Sequence, residues 1–276
     1  MTLGTNHILF RASLAEEREL EAARNYFPVI TQRSEILTAG PTTVIGRYSV
    51  LPFYQELEAD VKAMGGTLIN SYSQHRYVAD LQNWYEDLKD FTPETWFRLE
   101  EIPTSCEHGF ILKGETNSKK FLWNTHMFAK DKMAAGTVYS RLCQDGMIGD
   151  QSIYIRKYVP LNLYGEGLNG LPIGEEYRFF ILDGNIVGSS FYWASHVDDI
   201  PSGVPSPSVV PGDFLQKVIT RIGDRTRFYV LDVACTQSGD WIVIELNDGQ
   251  MSGLSLIDPR VLYANMKHVL SRKNIL

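Results

Sequence analysis

The sequence predicts an α+β protein: a small α/β unit with a mainly parallel sheet, followed by a larger part built on antiparallel hairpins. Strand and helix patterns alternate over the first ninety residues, and Thr92-Pro93 interrupts that alternation. Beyond the break, hairpin signatures appear over Asp183-Gly184 and near Ser238-Gly239. The expected division is 1–91 and 92–276.

In chain order, His7–Arg11 reads as a strand, and Ser13-x-x-Glu16 as a capping box opening a charged helix to about Tyr26. Pro28–Thr31 and Thr43–Ile45 are short strand candidates. Pro52 sits at the start of a helix that Gly65-Gly66 ends, Thr67–Asn70 is the next strand, and a helix follows from about His75 to Lys89. After the break, strand Gly109–Lys113 enters the polar segment Gly114–Lys120. Helical segments cover much of 126–145, with Gly136 and Gly146 as interruptions, and Ile153–Val159 is again a strand. Glu176–Leu182 and Ile186–Trp193 form a hairpin whose Asp-Gly turn is a type I′ signal. Ile200–Asp213, with Pro201, Pro205, Pro207 and Pro211, is a loop. A helix over 213–222 leads to a second hairpin, Phe228–Ala234 with Trp241–Leu246, and a helix at 259–271 follows.

Composition narrows the function classes. A chain of 276 residues with 44% hydrophobic content can bury a large core. A net charge of −7 argues against a nucleic-acid-binding surface. Cys106, Cys143 and Cys235 are far apart, show no metal-ligand spacing and read as reduced thiols of a cytoplasmic protein. No signal peptide and no membrane-spanning run is expected, so the chain reads as soluble and intracellular.

The chemistry concentrates in the second hairpin. Centring its turn on Ser238-Gly239 pairs residue 232 with 245, so Asp232 and Glu245 face each other roughly 5 Å apart and repel. Strand period puts Glu245 and Asn247 on one face and Ile242, Ile244 and Leu246 on the other. Something cationic belongs between the carboxylates, and two carboxylates with an amide oxygen suit Mg²⁺; the competing reading is an exposed, solvated hairpin. Lys113 ends the apolar strand Phe110-Ile-Leu and can reach a phosphate, although on spacing alone it reads equally as a surface lysine. Glu176 and Arg178 share a strand face, either as an internal pair or with the arginine meeting an anionic partner. Arg156 and Lys157, taken alone, read as solvated strand ends. There is no P-loop, no dinucleotide fingerprint and no hydrolase signature.

In this order the pieces resemble the ATP-grasp superfamily, in the style of its small bacterial and phage proteins, from about Thr92 to Gly253. FILKGETNSKKF resembles the family's strand-end lysine and phosphate loop, and IYIRKYV its adenine-holding strand and hinge, here Lys157, Tyr158 and Val159. EYRFFILDGNIVGSSFYW resembles the segment whose acidic residue, Glu176, binds ribose and whose Arg178 faces the reacting groups. LDVACTQSGDWIVIELNDGQMSGL resembles the metal-binding end, with Asp232, Glu245 and Asn247 as ligands. The first ninety residues are similar to the small Rossmann-like domain preceding that fold. This chain departs from the pattern at Arg156, where an acidic or amide residue is usual, and at Val230, where some members carry arginine. A further nucleotide-binding lysine also lacks a clear equivalent, with Arg76 or Lys89 as stand-ins and Arg76 preferred.

The resemblance implies an ATP- and Mg²⁺-dependent ligase that joins a carboxylate, on an amino acid or peptide, to an amine or other nucleophile through an acyl phosphate. Arg178 and Lys113 would be its catalytic cations. The alternatives are a nucleotide- or partner-binding module without turnover, and a kinase.

Overall fold

The alternation at the start of the chain folds into a parallel sheet. In the computed structural model, residues 5–11, 13–36, 42–48, 53–199 and 203–273 are described. The first elements are β1 (Thr5–Phe10), α1 (Glu17–Arg24), β2 (Val29–Ile30), β3 (Thr42–Arg47), α2 (Tyr54–Ala63), β4 (Gly66–Leu68), α3 (Tyr72–Ala79) and α4 (Leu81–Leu88). Every pairing in the order β2-β1-β3-β4 is parallel. Ile8, Val44 and Ile45 are fully buried, as strands covered on both faces require.

Local chemistry shifts some expected boundaries. The capping box does not form: Leu14 and Ala15 N–H groups donate to the Arg11 carbonyl in a turn, and α1 starts only after Glu16, without a side-chain cap. The expected helix from His75 to Lys89 is two helices. Asp80 adopts an extended backbone and accepts from Gln82 N–H at 3.0 Å, capping α4. Its carboxylate also receives Arg76 and the Tyr154 hydroxyl, so a buried acid replaces a helical residue. Pro52, and the Ile200–Ser202 start of the proline-rich loop including Pro201, lie outside the described residues.

The following elements are β5 (Thr95–Trp96), β6 (Phe110–Gly114), β7 (Phe128–Ala129), α5 (Lys132–Cys143), β8 (Ile153–Lys157), β9 (Leu163–Glu166), β10 (Pro172–Gly174), β11 (Glu176–Leu182), β12 (Asn185–Phe191), α6 (Gly212–Ile222), β13 (Phe228–Cys235), β14 (Trp241–Asp248) and α7 (Pro259–Lys273). They build an antiparallel sheet β5-β8-β6-β7 backed by α5, and another ordered β12-β11-β13-β14. Gly136 does not interrupt α5; it sits on an open side of the helix. The β9–β10 hairpin was not expected from the sequence. Asp183 and Gly184 have φ of 47° and 76°, the left-handed pair a type I′ turn needs.

Period-2 alternation assigns β11 and β13 to two cores. Tyr177, Phe179, Ile181, Tyr229, Leu231 and Val233 pack with Trp84, Val218 and Ile222. Phe180, Leu182, Phe228 and Val230 pack on the other face with Ile8, Phe10, Phe27 and Tyr263. The N-terminal strands and α7 thus cover one end of that second face. Its other end carries Glu176, Arg178 and Asp232, and there the functional site begins. Among the described residues, no helix is long and apolar enough to cross a membrane.

Candidate functional site

Facing strands of the two antiparallel sheets enclose an open cleft of about 870 Å³. On β6, Phe110 and Leu112 point into the α5 core, so alternation turns Ile111 and Lys113 into the cleft. The end of β8 contributes Arg156 and Lys157, with Tyr158 and Val159 following. β11 contributes Glu176, and β14 contributes Ile242, Ile244 and Glu245.

The β13–β14 register differs from the expected one in an instructive way. Near the turn the partners are Cys235↔Trp241, Ala234↔Ile242 and Val233↔Val243, one residue off the expected ladder. A bulge follows, and the pairing resumes as Asp232↔Glu245. Asp232 therefore faces Glu245 as expected, but the bulge also turns Ile242 and Ile244 into the cleft beside Glu245. The strict two-face division of β14 does not hold.

Two ion pairs resolve the repulsion between the opposed carboxylates. Arg178 donates through Nε and Nη2 to both Asp232 oxygens, at 2.9 and 2.8 Å, and through Nη1 to the Gly253 carbonyl at 3.0 Å. Lys113 Nζ donates to Glu245 Oε1. Burial alone would raise the Glu245 carboxyl, but the Lys113 and Lys120 ammonium groups overcome it and, with a bond from Asn247, hold it at about 2. Burial would lower the Arg178 guanidinium, and Asp232 more than offsets that, holding it above its ordinary value. Of the expected site residues, Lys113, Lys157, Tyr158, Val159, Glu176 and Glu245 line the cleft. Arg178, Asp232 and Asn247 adjoin it through the bonds and register just described.

Glu176 is buried, and its Oε1 has no hydrogen-bond partner. Burial pushes its carboxyl up to about 7, against the pull of Lys120. The competing internal Glu176–Arg178 pair does not form, because Arg178 turns to Asp232. Arg156 is no solvated strand end. It is buried on the cleft floor, donating to the Ile244 carbonyl and the Thr92 hydroxyl, both at 2.6 Å. Burial pulls it down to about 10, so it stays charged at neutral pH. Lys157 and Tyr158 donate their backbone N–H groups to the carbonyls of Glu94 and Gly109. Arg76 lies off the cleft, bound to Glu115 at 2.6 Å and Asp80 at 2.8 Å, and Lys89 pairs with Glu86 at the surface.

The sequence reading missed Lys120 and Tyr192. Lys120 Nζ lines the cleft, bonds the Tyr192 hydroxyl and lies 4.2 Å from the Tyr192 ring centroid. The only local signal was a second lysine ending the 113–120 loop, indistinguishable from its exposed-looking neighbour Lys119. A second polar cluster fixes the turn after β14. Asp248 meets His75 Nδ1 at 3.0 Å and Asn70 Nδ2 at 3.2 Å, Gly46 N–H donates to Gln250, and Arg47 donates to the Gly249 carbonyl.

As a metal site, the hairpin offers hard oxygen donors: an ionised Glu245, the Asn247 amide and Asp232. Among the described residues no group of three or more His, Cys, Asp or Glu side chains could hold a metal ion, so the amide would be a necessary ligand. The donor set fits Mg²⁺ at Glu245 and Asn247; Asp232 joins it only by giving up an oxygen held by Arg178.

Solved structures share this architecture. A RimK domain ATP-grasp protein from Sphaerobacter thermophilus is 17% identical, with 94% of this chain and 98% of that chain covered at a TM-score of 0.55. The ATP-grasp ligase PsnB, in complex with a phosphomimetic variant of its minimal precursor, Mg and ADP, is 11% identical over 99% of each chain at 0.56. The D-cycloserine synthetase DcsG is 11% identical over 96% of this chain and 99% of that one at 0.57. No curated protein matches the sequence significantly. Residues 108–266 are more than half of the chain, and they carry both antiparallel hairpins and the cleft's charged residues from Lys113 to Asn247. That stretch matches the model of an ATP-grasp domain family, the third of its clade, and the chain belongs to that family.

Proposed function

We propose that the protein is an ATP- and Mg²⁺-dependent ligase that activates a carboxylate as an acyl phosphate and joins it to an amine or another nucleophile. The observation that carries this reading is the pair of ion pairs on adjacent strands, Lys113–Glu245 and Arg178–Asp232, at one end of an apolar cleft. The division at 91/92 belongs to the same proposal, with residues 1–91 shaping acceptor choice. The free cysteines suit a cytoplasmic setting.

The adenine would lie between Ile111, Tyr158, Ile242 and Ile244, its polar edge meeting backbone groups around Lys157 to Val159. The unpartnered Glu176 oxygen would accept from a ribose hydroxyl. Glu245 and Asn247, with Asp232, would hold Mg²⁺, which when bound neutralises charge on the terminal phosphates. A carboxylate oxygen attacks the γ-phosphorus, the bond to the β-phosphate oxygen breaks and ADP leaves. The nucleophile then attacks the acyl carbon and inorganic phosphate departs. Such transfer needs alignment and charge neutralisation more than covalent help. Lys113 and Arg178 supply the cations, Lys113 at the phosphates and Arg178 at the transferred group or the acceptor carboxylate. The likeness to PsnB, a ligase whose structure holds precursor, Mg and ADP, supports a peptide or amino acid as the carboxylate source.

A nucleotide-binding module without turnover is favoured by one observation: both Asp232 oxygens are held by Arg178. Incubation with ATP, Mg²⁺ and pooled amino acids and peptides separates the readings, with ADP release measured and hydroxylamine present as a trap. A ligase gives ADP and hydroxamate together, and Glu245→Ala abolishes both while melting as a folded protein. A stable phosphorylated product would identify a kinase, and nucleotide binding without ADP release would identify the module. Full activity in Glu245→Ala would sink the metal assignment.

A further inference from the structure

Lys120 is a buried ammonium that the protein itself does not satisfy. It has three N–H donors and one protein acceptor, the Tyr192 hydroxyl. Its other close neighbours are the ring faces of Tyr192 and Trp193, at 4.2 and 5.0 Å. Among the described residues, no carboxylate closes an ion pair with it, whereas Lys113 is committed to Glu245 and Arg178 to Asp232. Removing an ammonium from water costs several kcal/mol unless other groups replace its solvation, and ring faces with one phenol do so only in part. The cleft therefore holds a cation still open to an anion.

A second orphan faces the same space. Glu176 Oε1 is buried without a donor, and Glu176 and Lys120 interact electrostatically across the cleft. A ligand that satisfies both must present a hydroxyl donor and an anion a few ångströms apart. The ribose and 5′-phosphate of a nucleotide have that arrangement, and the terminal phosphates do not. We propose that Lys120 binds the phosphate nearest the ribose, with Tyr192 as its positioning residue, while Lys113 serves the outer phosphates. Tyr192 holds Lys120 through its hydroxyl and ring, and its ring also lies 4.8 Å from the Arg178 guanidinium carbon. One aromatic side chain thus spaces the two cations that Glu245 does not neutralise directly. The inference rests on reading the cleft as a nucleotide site.

Calorimetric titration with AMP, ADP and AMPPNP in the presence of Mg²⁺ tests it. The comparison uses the wild-type protein, Lys120→Met, Lys120→Arg, Lys113→Met and Tyr192→Phe, each checked for an unchanged melting profile. A charge-assisted hydrogen bond contributes about 1.5–3 kcal/mol, so Lys120→Met is expected to weaken all three ligands by about 10- to 100-fold, AMP included. Lys120→Arg keeps the charge and retains most AMP affinity, which also meets the case in which Lys120→Met fails to fold. Lys113→Met weakens ADP and AMPPNP while leaving AMP nearly unchanged. Tyr192→Phe gives a smaller loss for AMP and adds none in the Lys120→Met background, which a merely structural role would not produce. Wild-type affinity for AMP in Lys120→Met would overturn the assignment while leaving the nucleotide site standing. A wild-type protein that binds none of the three ligands would overturn the nucleotide reading, and the role of Lys120 with it.

Discussion

Glu176 shows how a single buried group ties the site to pH. Burial outweighs the Lys120 ammonium, raising its carboxyl from an ordinary 4.5 to about 7. Below about pH 4.5 the group is protonated in both the folded and the unfolded chain. Between about 4.5 and 7 the folded chain keeps a proton that the unfolded chain has lost, so stability falls as pH rises through that window. Glu176→Gln removes the effect. Its melting temperature should match the wild type near pH 5 and exceed it at pH 8, by an increment on the order of 1–3 kcal/mol in stability. Parallel pH profiles for the two proteins would refute this account of Glu176. At this scale the sequence was most legible where geometry follows from period alone. Facing Asp232 and Glu245 could be read by counting out from the turn, and the need for cations between them followed from charge. Lys120 was illegible because its role depends on Tyr192, seventy-two positions further on, closing over it. Burial of Arg156 depends equally on Thr92 and the Ile244 carbonyl.

The decisive element is β14 with the turn that follows it. Its bulge turns Ile242, Ile244 and Glu245 to the same side, combining an apolar wall for a base with a carboxylate for charge. The turn is then anchored from the N-terminal unit by Arg47, Gln250 and His75, and from β11 by Arg178 on Gly253. Gly249 is essential to its path: a Cβ there would lie 2.8 Å from the ring of the fully buried Phe228. Gly249→Ala should destabilise the protein by about 1–3 kcal/mol in denaturant titration, because a packed ring must move. An unchanged midpoint would show that the turn tolerates displacement. Element types were legible from periodicity and from the Asp183-Gly184 turn. Boundaries were not, since the break at Asp80 is fixed by Tyr154 and Arg76 and the start of α1 by the Arg11 carbonyl, which local pattern does not reveal.

Across the whole molecule, the N-terminal parallel sheet, the sheet of β6 and β8 and the sheet of β11, β13 and β14 meet around the charged end of one cleft. Strand–helix alternation and hairpin signatures were enough to separate the parallel from the antiparallel parts. The shared core of Ile8, Phe10, Phe180 and Tyr263 could not be read that way, because apolar strands do not state which face of which sheet they meet. The central claim is that this cleft binds a metal-complexed adenine nucleotide. A crystal structure with AMPPNP and Mn²⁺, with the anomalous signal of the metal recorded, tests it most directly. The account predicts the base between Ile111 and Ile244, and an anomalous peak in contact with Glu245 and Asn247. A nucleotide bound elsewhere, or a bound nucleotide with no metal at Glu245, would contradict it.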